Sequence, residues 1–218
     1  MSDDTRTVLL PGTLCDAALW SGVSLPSGAE VLNTVGGTSL AQAAASALHL
    51  APGPVHLVGF SLGALIAFEV LRLAPERVAR LTLIAANPHA PTRKQLDAWA
   101  EQERAVLAGE FGKLVSTLVP AEPQGVLEMA LRVGPETFLE QLHLLRSRPD
   151  SRSALTGYTG PLTVLVGEND TTTPPSLAVE LRALAPQARL RQVPGAGHYL
   201  PLDAPQCISD ALREPAYA

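Results

Sequence analysis

Val55-His56-Leu57-Val58-Gly59-Phe60-Ser61-Leu62-Gly63-Ala64-Leu65-Ile66-Ala67-Phe68-Glu69-Val70-Leu71-Arg72-Leu73-Ala74 changes character at its middle. Val55 to Val58 is a short apolar run of strand length. After Gly63 the chain stays apolar well past the length of a strand. Gly59-Phe60-Ser61-Leu62-Gly63 stands at the join. A strand that passes through Gly-x-Ser-x-Gly into a helix has the form of a nucleophile elbow. A serine hydroxyl is a weak nucleophile, so it has to be exposed and held against a base. A sharp strand-to-helix turn exposes it, at the cost of a strained backbone. Side chains two residues before and two after would collide with each other or with the neighbouring strand, and Gly59 and Gly63 remove them. The helix that follows aims its N-terminus at the site, which favours negative charge there. The pentapeptide alone also fits a glycine-punctuated turn in which Ser61 is an ordinary N-cap. The rest of the chain has to decide.

The chain has 218 residues, enough for one α/β domain with a full core. Apolar residues make up 46% and charged residues 17%, the balance of a globular protein rather than a disordered one. The net charge is −5 and there is no Lys/Arg run, which argues against a nucleic-acid partner. Cys15 and Cys207 are far apart and sit in no Cys-x-x-Cys pattern, so they suggest neither a disulfide framework nor a zinc site. The polar start leads directly into a strand and has no signal-peptide pattern. Glu69 interrupts the best apolar run short of the ~18 residues a membrane span needs. The expected location is cytoplasmic.

In chain order, Thr7 to Leu10 reads as a buried strand stopped by Pro11-Gly12-Thr13-Leu14. Residues 30–35 read as a second strand and 38–50 as a helix capped by Thr38 or Ser39. Strand 55–60 and the elbow helix come next, then a strand at 80–85. Strands alternating with helices imply a parallel sheet covered on both faces. Residues 87–160 break the alternation: Leu96, Trp99, Leu114, Leu118, Phe138, Leu142 and Leu145 sit at helical spacing, and Pro120, Pro123 and Pro135 separate the pieces. The organisation predicted is a core of 1–86 and 161–218 interrupted by a helical cap insertion, 87–160. Alternation resumes with a strand at 162–167, a helix at 176–184, a strand at 190–193 and a helix at 205–213.

A serine nucleophile needs a base within hydrogen-bond reach and a carboxylate to orient that base. Of the five histidines, His49 lies in a helix and His56 in the elbow strand, which makes both structural. His143 lacks a loop to aim it. His198 follows a strand in the glycine-rich loop Pro194-Gly195-Ala196-Gly197, at the carboxyl end where open α/β sheets bind ligands, with His89 in second place. Glu168 and Asp170, after strand 162–167, both qualify by position as the carboxylate.

With these residues in order the chain resembles the α/β-hydrolase superfamily over nearly its whole length. Four motifs carry the resemblance: Leu9-Leu10-Pro11-Gly12-Thr13, the elbow, Gly-x-x-Asp-x-x-x-Pro at 167–174, and Gly197-His198 with Asp203-x-Pro205 downstream. The resemblance implies a doubly wound, mainly parallel sheet of about six strands. Their implied order in space is 30–35, 7–10, 55–60, 81–85, 162–167, 190–193. It implies Ser61 as nucleophile, His198 as base and Asp170, rather than Glu168, as orienting acid. The oxyanion would be bound by the backbone N–H groups of Leu62 and Thr13, with Leu14 as the fallback for the second. Pro11-Gly12 departs from the His-Gly common in that loop, and the family's usual first two strands are not expected here. No metal or organic cofactor is implied.

The chemistry so implied is hydrolysis of a carboxylic ester or thioester through an acyl-enzyme. Related sequences also perform C–C bond hydrolysis, lyase chemistry or perhydrolysis, and a ligand receptor on the same scaffold is a further alternative. The insertion offers leucines, valines, Trp99 and Phe138 with no evident cationic clamp. The substrate expected is a small molecule with a small to medium, mainly apolar acyl group.

Overall fold

Strands that run parallel in a sheet covered on both faces read as unbroken apolar runs, because both sets of alternating side chains are buried. The computed structural model describes residues 5–121 and 123–214, so the polar start at 1–4 lies outside the described residues. β1 (Arg6–Leu10) leads through a 3-10 turn at Ala17–Trp20 to β2 (Glu30–Val31). α1 (Leu40–His49), β3 (Val55–Phe60), α2 (Leu62–Leu73) and β4 (Val78–Ile84) follow. Next come α3 (Arg93–Leu107), α4 (Phe111–Leu118), α5 (Val126–Ser147) and α6 (Arg152–Thr156). Among the described residues between β4 and the next strand there is no other strand. β5 (Leu162–Gly167), α7 (Pro175–Leu184), β6 (Arg189–Val193), α8 (Leu200–Asp203) and α9 (Pro205–Arg213) complete the order. α5 is two helical pieces, because Gly134 takes φ 80° and Pro135 follows it. A proline there has no N–H to give the preceding turn.

The six strands pair in the order β2-β1-β3-β4-β5-β6, and every pair is parallel. This is the order the sequence implied. The order reverses between β1 and β3, so the loops leaving those two strands diverge and open a crevice at their carboxyl ends. Alternation assigns the two faces. Val8, Leu10, Leu57, Leu81, Leu83 and Val164 pack under α1, α2 and α7. Leu9, Val58, Phe60, Ile84 and Leu165 pack with the 3-10 turn and with Ile208, Ala211 and Leu212 of α9.

The second strand is shorter than predicted. Residues 30–35 were read as strand, and only Glu30–Val31 pairs. The Leu32 N–H still donates to the Leu9 carbonyl at 3.0 Å. The backbone then leaves this edge of the sheet, and Thr34 and the Val35 carbonyl turn to Gln141 of α5. The helix after it starts as expected, with the Ser39 hydroxyl accepting from the Gln42 N–H.

His56 is buried between β3 and β4, where its Nε2 lies 2.8 Å from the Thr82 hydroxyl. Burial, reinforced by the nearby Arg80 charge, pushes its pKa down to about 3. The folded protein therefore holds His56 neutral, while the unfolded chain takes up a proton below about pH 6.5. Between those values the unfolded state binds more protons, so stability rises with pH and is lost as pH falls. Unfolding free energy is expected to drop by up to about 1.4 kcal/mol per pH unit below about pH 6.5 from this group. Denaturant titrations across that range check it, and His56→Gln should flatten the slope.

Candidate active site

Ser61 stands between β3 and α2 with φ 52° and ψ −110°, outside the comfortable regions for a residue with a side chain. The turn is that sharp because α2 packs directly on the strands. A Cβ on Gly59 would sit 2.6 Å from the Gly63 carbonyl oxygen, and a Cβ on Gly63 would sit 2.1 Å from the Leu10 carbonyl oxygen. The Ser61 N–H donates to the Ile84 carbonyl at 2.9 Å, which ties the turn to β4.

Ser61, His198 and Asp170 come together in one hydrogen-bonded chain. His198 Nε2 lies 3.2 Å from Ser61 Oγ, and His198 Nδ1 lies 2.8 Å from Asp170 Oδ2. The Asp170 side chain is fully buried. Its Oδ1 accepts the backbone N–H groups of Thr172 and Thr173, each at 2.8 Å, and its Oδ2 accepts the Thr173 hydroxyl at 2.6 Å. Burial pushes this carboxyl up, but the hydrogen bond and charge of His198 and the Thr173 donors outweigh it and hold the pKa below the ordinary value. An ionised carboxylate only accepts, so Nδ1 carries the proton and Nε2 is left to accept from the serine. Phe60 packs against the His198 ring at a centroid distance of 5.2 Å. Gly167 lets the His198 loop close on β5, since a Cβ there would meet the Gly197 carbonyl oxygen at 2.2 Å.

The other candidates lie elsewhere. His89 Nε2 is 2.8 Å from Glu180 of α7, and His143 is exposed. Glu168 accepts the Gly195 N–H and so braces the histidine loop from outside. Both Leu62 and Thr13 border the cavity beside Ser61. Leu62 is the first residue of α2, where the N–H has no acceptor within the helix. The Thr13 N–H has no acceptor among the described residues. Leu14 differs: its N–H donates to Gln141 Oε1 at 2.9 Å and is already used.

Gln141 was not picked out in the sequence. It is fully buried in α5, and its amide nitrogen donates to the Val35 carbonyl at 2.8 Å while its oxygen holds Leu14. Leu14 has φ 58°. The loop after β1 is thus held in an unfavourable conformation by a side chain far away in sequence. A second tie joins the same elements, because Arg132 Nε of α5 donates to Asp16 Oδ2 at 2.8 Å. The available signal was a lone amide inside the apolar stripe Phe138, Leu142, Leu145.

These residues open into a cavity of about 620 Å³. Strand-end loops supply Thr13, Phe60, Ala85 and His198, and the helices after β4 supply Trp99, Leu118, Phe138 and Leu145. Much of the wall is apolar. Arg148 also lines it, so the helical stretch after β4 contributes a cation where none was expected. Among the described residues there is no cluster of three His, Cys, Asp or Glu side chains arranged to hold a metal, and no helix is long and apolar enough to cross a membrane.

A doubly wound parallel sheet with a serine at a strand-to-helix turn, met by a histidine from the loop after its last strand, defines the α/β-hydrolase class. The chain belongs to the alpha/beta hydrolase family, whose family model matches residues 8–207. It is 29% identical over 182 residues to the sn-1-specific diacylglycerol lipase ABHD11 of Mus musculus, covering 73% of this chain and 58% of that protein. It is 27% identical over 166 residues to the pimeloyl-[acyl-carrier protein] methyl ester esterase of Nitrosomonas europaea, covering 67% of this chain and 65% of that one. The chain therefore spans less than two thirds of either relative. Among solved structures, a thermophilic esterase from Thermogutta terrifontis superposes with a TM-score of 0.82 at 21% identity, over 96% of this chain and 88% of that one.

Replacing Gln141 by Leu leaves the buried Leu14 N–H and Val35 carbonyl without partners. Gln141→Leu is expected to cost about 2–4 kcal/mol of stability. Chemical denaturation of the variant against the wild type measures it.

Proposed function

We propose that the chain is a serine hydrolase that cleaves a carboxylic ester or thioester through an acyl-enzyme. The observation that carries this reading is the Ser61–His198–Asp170 hydrogen-bonded chain at the wall of the cavity. Names of relatives as esterase and lipase support the same bond type. In this reading His198 Nε2 takes the proton from Ser61 as Oγ attacks the carbonyl carbon. Asp170 holds the ring in the tautomer that leaves Nε2 free and stabilises the imidazolium that forms. The N–H groups of Leu62 and Thr13 receive the developing oxyanion, each worth about 3 kcal/mol in the transition state. His198 then gives its proton to the leaving alcohol or thiol. Water, deprotonated by the same histidine, releases the acid from Ser61.

The substrate side follows from the wall. Leu65, Phe138 and Leu145 suit a small to medium, mainly apolar acyl chain. Residues 87–160 act in this reading as a cap over the core of 1–86 and 161–218, because they supply the part of the wall that the strand-end loops do not.

A fluorophosphonate probe is expected to label Ser61 in the wild type and not in Ser61→Ala. Graded p-nitrophenyl esters should be hydrolysed by the wild type, with kcat in Ser61→Ala reduced by at least roughly 10³-fold. Wild-type protein that neither labels nor turns over any ester would sink the assignment.

A further inference from the structure

Arg148 follows the last residue of α5 and lines the same cavity as Ser61. It is only 7% exposed. Neighbouring arginines are neutralised: Arg132 pairs with Asp16 and Arg146 with Glu103. Arg148 has no carboxylate within ion-pair reach among the described residues. Its Nε donates to the His89 carbonyl at 2.9 Å, and Nη2 reaches Gln95 Oε1 only at 3.4 Å. Nη1 has no acceptor among the described residues. One face of the guanidinium lies over the Trp99 ring, 5.3 Å from its centroid.

The group keeps its charge. Burial lowers its pKa to about 10, still well above neutrality. A desolvated cation without a counter-ion is unfavourable unless something brings the negative charge to it. Here the carbonyl and the indole fix the orientation of the plane, and the Nη1–Nη2 edge is left with weak or no bonding. That edge presents the parallel donors that match a carboxylate. A single charge is indicated. Besides His198 and Tyr199, the lining carries one carboxylate, Asp203, whose Oδ2 accepts the Gly197 N–H. A dianion would bring a second, unmatched negative charge into a cavity that already holds that aspartate.

We propose that Arg148 determines specificity by binding a carboxylate carried by the ester substrate, within the same cavity that holds the carbonyl Ser61 attacks. The substrate class is then a half-ester of a dicarboxylic acid, or the ester of a hydroxy acid, with an apolar spacer along Phe138 and Leu145. The proposal rests on the hydrolase reading for its reacting end alone.

The test compares matched pairs of esters that differ by one carboxylate. In one pair the charge is on the acyl side, as in p-nitrophenyl hemiglutarate against p-nitrophenyl valerate. In the other it is on the alcohol side, as in 4-acetoxybutyrate against butyl acetate. Wild type is expected to favour the charged member of one pair by tenfold or more in kcat/KM, and that pair identifies which side carries the charge. Arg148→Gln should lower the charged-to-neutral ratio by roughly ten- to hundredfold, mainly through KM. Arg148→Lys should restore part of it. A merely structural role would lower both members together and leave the ratio where it was. Independently of turnover, monomethyl glutarate should raise the melting temperature of Ser61→Ala more than methyl valerate does, and Arg148→Gln should abolish that difference. Fluorophosphonate labelling of Ser61 shows separately whether the reacting end is competent. Ratios near one in both pairs, together with equal melting shifts, overturn the proposal.

Discussion

The Cα of Gly63 lies so near the end of β1 that any side chain would have to occupy the space of the Leu10 carbonyl. That approach sets the site. It seats the first turn of α2 on the end of β1, the strand that leads into the loop carrying Thr13. It also forces the chain to reverse within the elbow, so Ser61 takes a positive φ and its hydroxyl projects beyond the ends of the strands. A looser packing of α2 would relieve Ser61 and at the same time shift the start of the helix away from β1. The strain at the serine and the seating of α2 on β1 are thus one constraint.

Among the described residues, three other than glycine have positive φ: Leu14, Ser61 and Ala85. They follow β1, β3 and β4, which are neighbours in the sheet, and all three line the cavity. Such conformations cost of order 1–3 kcal/mol each and persist only where the surroundings over-determine them. The structure shows what does so. The Ser61 N–H bonds to the Ile84 carbonyl and the Ala85 N–H to the Leu165 carbonyl, so each turn is held by the next strand across. Leu14 is not held in that way, because it stands four residues beyond the end of β1 at Leu10 and its N–H bonds to no neighbouring strand. Gln141 takes that place from α5.

This difference explains what could be read from the chain. The elbow, the loop after β1 and the Asp170 and His198 loops announce themselves locally, through glycines at fixed offsets from strand-length apolar runs. The six-strand order followed from the resemblance to the α/β-hydrolase superfamily that those motifs carry. The length of β2 was not legible, because Thr34 and Val35 are strand-like in composition and are drawn off the sheet edge by a partner more than a hundred residues away. Gln141 and Arg148 were missed for a related reason. Gln141 sits inside the apolar stripe of α5 and Arg148 just beyond its end, each a single polar residue with no local motif around it. Only the folded geometry shows that one meets a strained loop and the other an open cavity.

The helices after β4 are unequally tied to the sheet. α5 holds the loop after β1 through both of its pieces, Arg132 before the Gly134 break and Gln141 after it. α3 is joined to α5 by the Arg146–Glu103 ion pair, and to the residue after α5 by Arg148, which touches both Gln95 and Trp99. α4 has no side-chain hydrogen bond or ion pair to another element among the described residues; it packs through apolar contacts such as Phe111 on Phe138, with ring centroids 6.0 Å apart. Directed contacts resist sliding and rotation, whereas apolar contacts exchange with little change in energy. Moving α5 would disturb Leu14 and with it the position of Thr13. The wall of the cavity can therefore differ in compliance along its length: fixed where it supports the loop beside Ser61, and least constrained where α4 contributes Thr117 and Leu118.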